Sequence, residues 1–125
     1  MSKPPKLMVG NWKMHGDLSA NAAFVAGLTA ELSALACRAA LCVPAVYLAQ
    51  MQALLAASPV ELGAQDLSAH DVGAYTGEVS AQMLRDFSVR YAIVGHSERR
   101  LMHAETDAVV AVSYTHLRAH ETVLD

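Results

Sequence analysis

The sequence predicts an α/β protein in which a parallel β-sheet is covered by helices. Short apolar runs, each suited to one buried strand, alternate with longer segments in which apolar residues recur every three or four positions. Four such strand–helix units follow one another, and parallel strands need crossover connections of this kind. Two architectures fit this order: an open doubly wound sheet, or part of a (β/α)8 barrel. The length of 125 residues favours the open sheet, because a complete barrel takes about 250 residues.

The first two units occupy the N-terminal part of the chain. The first strand is predicted over residues 7–9 and the second over residues 39–43. The helix between them has Asp17 or Ser19 as its N-cap. Its apolar face is predicted from Leu18, Ala22, Val25, Leu28, Leu32 and Leu35. The apolar side of the second helix is predicted from Tyr47, Met51, Leu54 and Leu55.

Two further units follow. The third strand is predicted over residues 60–65, directly after Pro59 breaks the second helix. A polar stretch, residues 66–79, comes next, and loops of this length in compact domains are usually functional or mobile. The fourth strand is predicted over residues 91–94, and another helix begins over residues 106–112. The short third helix has an apolar side predicted from Met83, Leu84 and Phe87.

Composition excludes several classes of protein. Apolar residues make up 54% of the chain and charged residues 17%, which allows a buried core and is not the balance of a disordered chain. The net charge is −3 without any Lys or Arg run, which argues against nucleic-acid binding. Cys37 and Cys42 are too few for a secreted disulfide scaffold, so we interpret both as buried side chains in a reducing compartment, the cytoplasm. The uncharged stretch 39–60 could span a membrane by length, but Pro44 and two glutamines inside it favour a strand, a turn and a helix.

Chemistry is expected at the carboxyl ends of the strands, which form the working face in both architectures. The first strand is followed by Gly10-Asn11-Trp12-Lys13-Met14. Here Lys13 places a cation at the mouth of the sheet, where it suits a phosphate or an enolate oxygen. The segment lacks the glycine spacing of a nucleotide-binding loop. A solvated surface lysine is the alternative interpretation.

The fourth strand ends in Gly95-His96-Ser97-Glu98-Arg99-Arg100, where Ser97 can cap a helical turn. Backbone N–H groups at a helix start carry partial positive charge, which disfavours a second proton on a neighbouring imidazole. We therefore expect His96 to be neutral and to act as a hydrogen-bond donor; a capping or core histidine is the alternative. His116 and His120 have a spacing that can hold a metal on a helix, but without a convincing third ligand we predict no metal site.

Three parts of the chain together resemble the triose-phosphate isomerase family, in that family's order and at its spacing. They are Gly10-Asn11-Trp12-Lys13-Met14; Gly63-Ala64-Gln65-Asp66 with Gly73-Ala74-Tyr75-Thr76-Gly77-Glu78; and Tyr91-Ala92-Ile93-Val94-Gly95-His96-Ser97-Glu98-Arg99-Arg100. The likeness covers roughly residues 5–112. It implies the (β/α)8 barrel fold, here its first four strand–helix units, and an enzyme that works without a cofactor or a metal.

The resemblance also implies the reaction and the role of single residues. The reaction is the interconversion of dihydroxyacetone phosphate and glyceraldehyde 3-phosphate through an enediolate, a step of glycolysis and gluconeogenesis. Lys13 is then the cation that holds the substrate and stabilises the enediolate oxygen. Asn11 is a substrate-binding residue beside Lys13. His96 is the neutral electrophile that moves protons between the two substrate oxygens, and Glu98 orients Lys13 without touching the substrate.

A homodimer is implied as well. Its interface includes Tyr75, Thr76, Gly77 and Glu78, and these residues form the tip of the long polar loop. Thr76 reaches into the other subunit's site. On the residues alone, this segment suits a protruding contact loop, because turn glycines flank an aromatic ring and a hydroxyl; a flexible surface loop is the alternative.

The sequence departs from the family at two places. His15 stands where the family usually has asparagine. Residues 113–125 show neither the rest of the fourth outer helix nor a fifth apolar strand, so we interpret them as a non-family tail, disordered or produced by a frameshift or read-through.

The expected function of the 125 residues follows from this division. The family's base is a glutamate on a later strand, and neither it nor the later phosphate-binding loops stand in this sequence. We expect residues 1–112 to be the N-terminal half of a barrel and to be inactive alone. The alternative is a small non-catalytic α/β module that binds phosphate through Lys13 and His96.

Overall fold

The computed structural model describes residues 7–32 and 38–94, which form a parallel four-stranded sheet with helices packed against it. The strands are β1 (Leu7–Asn11), β2 (Arg38–Val43), β3 (Glu61–Ala64) and β4 (Tyr91–Ala92). The helices are α1 (Leu18–Leu32), α2 (Leu48–Leu55) and α3 (Ala81–Asp86), and a 3-10 turn (Ala45–Tyr47) precedes α2. The predicted α/β alternation is confirmed for these residues. The helix expected over residues 106–112 lies outside the described ranges.

The strand order distinguishes the two architectures. Neighbouring strands follow chain order, β1-β2-β3-β4, and each pair is parallel. A doubly wound sheet reverses its order at a switch point, and no reversal occurs among these four strands. The sheet is also curled, since Cα atoms of β2 and β4 approach within 8 Å, whereas two interstrand spacings in a flat sheet give about 9.6 Å. The open sheet that length alone favours is therefore wrong, and the strands form part of a barrel wall.

The hydrophobic core lies between the helices and one face of the sheet. Alternate residues of the strands on this face, and Val94 just after β4, are buried in one cluster; the strand residues are Leu41, Val43, Leu62, Ala64 and Ala92. The helices add Leu48, Met51 and Leu55 from α2, with Ala81 and Leu84 from α3. Tyr47 and Leu54 pack against the cluster partly buried, so the predicted apolar side of the second helix is confirmed.

The opposite face of the sheet carries small side chains where β2 and β3 meet. Cys42 is fully buried, and its burial raises the pKa of the thiol to about 11. It is a free cysteine, as predicted for a small buried side chain; Cys37 lies outside the described residues. Gly63 is its register partner on β3. A Cβ on Gly63 would lie 2.5 Å from Cys42 Sγ, so the close approach of the two strands here requires glycine.

Helix α1 turns part of the predicted face inward, since Val25 is buried and Leu28 packs partly buried against the core. The last predicted member of the face, Leu35, lies outside the described residues. Leu18 is 63% exposed and Ala22 is also exposed, so both are wrong as members of the buried face. Asn21 is buried instead, on the same side as the buried Val25. The reason is a hydrogen bond, in which Asn21 Nδ2 donates to Gln50 Oε1 of α2 at 2.9 Å. A polar contact between the two helices, which an apolar pattern cannot show, sets the rotation of α1.

Two side-chain caps fix where helices begin. Asp17, and not Ser19, caps α1, because its Oδ1 accepts the backbone N–H of Ala20 at 2.7 Å. Ser80 caps α3 by accepting the backbone N–H of Met83 at 3.2 Å. With α3 starting at that point, Met83 points outward and is 52% exposed, so its predicted place on the buried side is wrong.

The amino ends of β2, β3 and β4 are joined by a charged cluster. Arg38 donates to Glu61 Oε1 from Nε at 3.0 Å and from Nη2 at 2.8 Å, and Nη2 also donates to the Tyr91 hydroxyl. These hydrogen bonds to Glu61 and its charge raise the pKa of Arg38, which keeps the guanidinium charged. Burial raises the pKa of the Tyr91 phenol, so it stays protonated. The cluster lies at the end of the sheet away from Lys13, where barrel proteins place stabilising contacts.

Replacing Gly63 with alanine should lower the free energy of unfolding by about 1–3 kcal/mol, because the new methyl group overlaps Cys42 Sγ. Gly27→Ala is the matched control. Gly27 lies within α1 and a Cβ there meets nothing within 4 Å, so this change should stabilise the protein by about 0.5–1 kcal/mol. Urea unfolding of the two variants measures both effects.

The double variant Gly63→Ala with Cys42→Ala tests the cause. It should be less destabilised than the sum of the two single variants, because removing the sulfur opens the space that the new methyl group needs. Strict additivity of the two single changes would contradict the proposed clash.

Candidate functional site

The loop between β1 and α1 carries Lys13 at the carboxyl edge of the sheet. Trp12 still belongs to the strand ladder, since its N–H donates to Cys42 O at 3.0 Å. The backbone then turns at Lys13, where φ is +54°. The Lys13 N–H donates to Asn11 Oδ1 at 2.8 Å, so the Asn11 side chain determines the direction in which the chain leaves the sheet.

Gln65 follows β3 and reaches back to the same turn. Its Nε2 donates to the backbone oxygen of Lys13 at 2.7 Å. It also lies 3.3 Å from Cys42 O and 3.4 Å from Asn11 Oδ1. One side-chain amide therefore ties β1, β2 and β3 together at the edge where the site is expected.

Gln65 was not among the predicted site residues, although it stands within one of the family-like segments. The signal that could have found it is an amide placed directly after a buried strand, at the carboxyl edge. A side chain there can reach the neighbouring strand ends, and a glutamine can both donate and accept.

The Lys13 backbone is held in a conformation that lysine does not favour. A positive φ outside glycine costs on the order of 1–3 kcal/mol and persists only where surrounding contacts impose it. Here Asn11 accepts the N–H of Lys13, and Gln65 donates to its carbonyl oxygen. The Lys13 side chain is exposed at this edge. The arrangement presents a cation from a fixed backbone position.

The rest of this loop is anchored to the segment around α2. Tyr47 donates its hydroxyl to Gly16 O at 2.9 Å, and Gln50 Nε2 donates to Leu18 O at 2.7 Å. Gly16 has φ +121°, and a Cβ on it would lie 2.8 Å from Asn21 Oδ1. The loop therefore follows a path defined by polar side chains of the next unit.

The long loop 66–79 follows β3 and is hydrogen-bonded within itself. Ser68 is buried at its base, where its N–H donates to Val79 O at 2.8 Å and its Oγ donates to Glu78 Oε1 at 2.7 Å. At the tip, the Glu78 N–H donates to Tyr75 O at 3.0 Å. Gly77, with φ +90°, stands where a type II turn needs positive φ. Residues 71–78 are all exposed, including the whole predicted interface segment.

His96 and Glu98 lie outside the described residues, so their roles stay predictions. The described part of the chain ends at Val94, two residues beyond β4. β4 and β1 lie at opposite ends of the four-stranded sheet, separated by β2 and β3. Three spacings in a flat sheet would be about 14 Å, so a small ligand can meet Lys13 and a residue after β4 only if the sheet curls.

Within residues 7–32 and 38–94, His, Cys, Asp and Glu side chains do not gather in any group of three or more that could hold a metal ion; His116 and His120 lie outside these ranges. In the same part of the chain, no helix combines the length and the apolar character needed to cross a membrane.

Comparison with known proteins places these features in one family. A sequence model described as triosephosphate isomerase matches residues 6–124. The triosephosphate isomerase of Albidiferax ferrireducens is 63% identical over 106 residues, which are 85% of this chain and 43% of that protein. The triosephosphate isomerase of Herminiimonas arsenicoxydans is 58% identical over 106 residues, with the same coverage of 85% and 43%. The chain thus spans less than half the length of these curated relatives.

The fold comparison agrees. A crystal structure of triosephosphate isomerase from Bartonella henselae superposes with a TM-score of 0.82 at 34% sequence identity. The match covers 96% of this chain and 50% of that one. The four parallel strands are therefore half of a (β/α)8 barrel, as the resemblance implied. The boundary at residue 112 stays a prediction: the family match runs to residue 124, whereas the two relatives align over 106 residues, and residues 113–125 lie outside the described ranges.

The backbone at Lys13 can be tested by comparing Lys13→Gly with Lys13→Ala, which both remove the amine. Glycine should be the more stable of the two by about 1 kcal/mol, because it adopts positive φ without a steric penalty. Urea unfolding of the pair measures the difference.

Met14 supplies the control pair, since it is the next residue, is 93% exposed and does not have positive φ. There Met14→Ala should be more stable than Met14→Gly by about 0.4–1 kcal/mol, the usual order. Finding that same order at position 13 would show that the turn is not held as described.

Proposed function

The chain belongs to the triosephosphate isomerase family, and on that premise we propose that its residues form the Lys13 side of a site that interconverts dihydroxyacetone phosphate and glyceraldehyde 3-phosphate. The reaction moves a proton between adjacent carbons through an enediolate. It uses no cofactor, and the cell compartment is the cytoplasm. The proposal assigns this chain the part of the site that holds the substrate and stabilises negative charge on its oxygens.

Lys13 supplies the positive charge. Its ammonium group attracts the substrate phosphate and stabilises the oxygen that becomes negative in the enediolate. Such stabilisation is effective when the charged group is in place before the reaction, because no free energy is then spent on reorganisation. Asn11 binds the substrate beside Lys13, and its side chain also holds the Lys13 backbone.

His96 and Glu98 complete this half of the site. The neutral His96 imidazole donates a hydrogen bond to a substrate oxygen and moves protons between the two oxygens. Glu98 acts through Lys13 by orienting its ammonium group. The proton on carbon is removed by a glutamate that is not among these 125 residues, and phosphate is held further by loops of the family's later strands.

The observation that carries the proposal is the construction of the Lys13 turn. Asn11 and Gln65, from two different strands, hold the N–H and the carbonyl oxygen of a residue with positive φ. A solvated surface lysine needs no such support. Unfavourable backbone conformations that are imposed by surrounding contacts cluster at functional sites, and this one stands at the carboxyl edge where barrel enzymes bind substrate.

We also propose a homodimer in which the tip of loop 66–79, Tyr75-Thr76-Gly77-Glu78, contacts the other subunit. The support is the exposure of the whole tip together with its closed turn and its anchored base. Thr76 is the residue placed to reach the partner's site. A loop that is ordered before association loses less conformational entropy on docking than a flexible one.

The purified 125-residue chain should show no significant isomerase turnover in a coupled assay. General acid–base catalysis contributes roughly 10²–10⁴-fold, and loss of substrate positioning costs more.

A chimera tests the contribution of these residues. In it, residues 1–112 replace the matching segment of the Albidiferax ferrireducens protein, which is 63% identical over 106 residues. We expect the chimera to be active.

Within the chimera, Lys13→Met should lower kcat/KM by about 10²–10³-fold, the usual cost of one group that stabilises a developing negative charge. Arg85→Met is the control, because it removes a surface cation from the last turn of α3 and should leave kcat/KM within about twofold. Equal effects of the two variants would contradict the assignment.

The alternative function, a phosphate-binding module, has its own test. Saturable binding of a phosphate-bearing transition-state analogue to the 125-residue chain alone would support that module instead.

A further inference from the structure

The long loop contains a stacked pair of rings that the proposed reaction does not use. The His70 imidazole and the Tyr75 phenol ring are parallel to within 1°, with centroids 3.6 Å apart. His70 is exposed and Tyr75 is 41% exposed, so neither ring belongs to the buried core. The contact joins the start of the loop to its tip across four intervening residues.

The backbone around the pair is shaped to accept it. Gly73 has φ +137°, and a Cβ on it would lie 2.9 Å from Tyr75 Cε2. The Tyr75 ring therefore lies against the bare backbone of Gly73 as well as against His70. No other residue type fits at position 73 without moving the ring.

Both ends of the pair are connected to the hydrogen bonds of the loop. The His70 N–H donates to Ser68 Oγ at 3.0 Å, and the same Oγ donates to Glu78 Oε1. The carbonyl oxygen of Tyr75 accepts the Glu78 N–H that closes the tip. The stack joins the base of the loop to Tyr75 in its exposed tip, beside the hydrogen bond by which Ser68 holds Glu78.

We propose that His70 is a positioning residue that, by stacking on Tyr75, holds residues 75–78 in the conformation in which they meet a second copy of the chain. The proposal rests on the homodimer proposed above. It adds His70 as the residue that orders residues 75–78 before they meet the second copy. The stack raises the fraction of chains in which the tip is ordered. Loss of the stack lowers that fraction, and the association constant falls by the same factor.

The Glu78 amide reports the order of the tip, because its N–H is bonded to Tyr75 O. In His70→Ala, hydrogen exchange of the peptide containing Glu78 should be about two- to tenfold faster, as expected for loss of one aromatic pair. His70→Phe keeps a ring and should restore the slow rate. Val72→Ala, in the same loop and 87% exposed, is the control and should change nothing. Exchange of the peptide containing Ile93, whose N–H is bonded to Ala64 O, monitors the sheet and should stay constant.

Self-association of the 125-residue chain, measured by sedimentation equilibrium, separates this inference from the homodimer. His70→Ala should weaken association by the same two- to tenfold, with recovery in His70→Phe. Unchanged exchange at Glu78 in His70→Ala would overturn the positioning role. If exchange responds as expected but Thr76→Arg leaves association unchanged, the stack orders the tip and the homodimer through this loop is wrong.

Discussion

The hydrogen bond from Gln65 to the Lys13 carbonyl is the contact on which the geometry of the site depends. β1 and β3 are not neighbours, since β2 lies between them, yet this bond of 2.7 Å joins the residues that follow them. In a flat sheet the two strands would be about 9.6 Å apart. The side chain of Gln65 covers this span because the sheet curls and because it passes over Cys42 O on the intervening strand.

The small residues inside the sheet make that curl possible. Cys42 and Gly63 are register partners on the face away from the helices, and even one added methyl group there would meet the Cys42 sulfur. Because protein interiors are close-packed, the volume on the concave face limits how far neighbouring strands can bend toward each other. The Cys42–Gly63 pair leaves room for the strands to curl. The curl in turn brings Gln65 close enough to Lys13 for the hydrogen bond that holds the turn. The ion-pair cluster at the opposite end of the strands contributes stability without sharing any residue with the site.

Much of the fold was predictable because it depends on local periodicity. The four strands and three helices stand where apolar runs and spacings of three and four placed them, and Asp17 caps α1 as one of two expected residues. The errors on the helix faces each involve a polar side chain, which an apolar pattern does not register. Asn21 faces inward, where it meets Gln50, twenty-nine residues away, and Leu18 is exposed. Met83 is exposed because Ser80 sets the phase of α3. Length favoured an open sheet, because 125 residues are too few for a complete barrel. Length alone cannot show that a chain contains half of a barrel.

The site was predictable in its residue types and not in its construction. Lys13 was found from its place after a strand, and the family resemblance supplied its role and added Asn11. The place of Gln65 after a strand could have marked it as a candidate, but its partner could not be found this way, because the contact with Lys13 spans fifty-two residues. The positive φ of Lys13 is held partly by the same contact and was not predicted either. The relation between the ends of β1 and β4 is a further property that no single segment encodes. Two other strands separate β1 from β4, so one small ligand can touch residues that follow both strands only if the sheet curls. The approach of β2 and β4 to within 8 Å is such a curl, and the proposed site depends on it, because that site needs one ligand to meet Lys13 and a residue after β4.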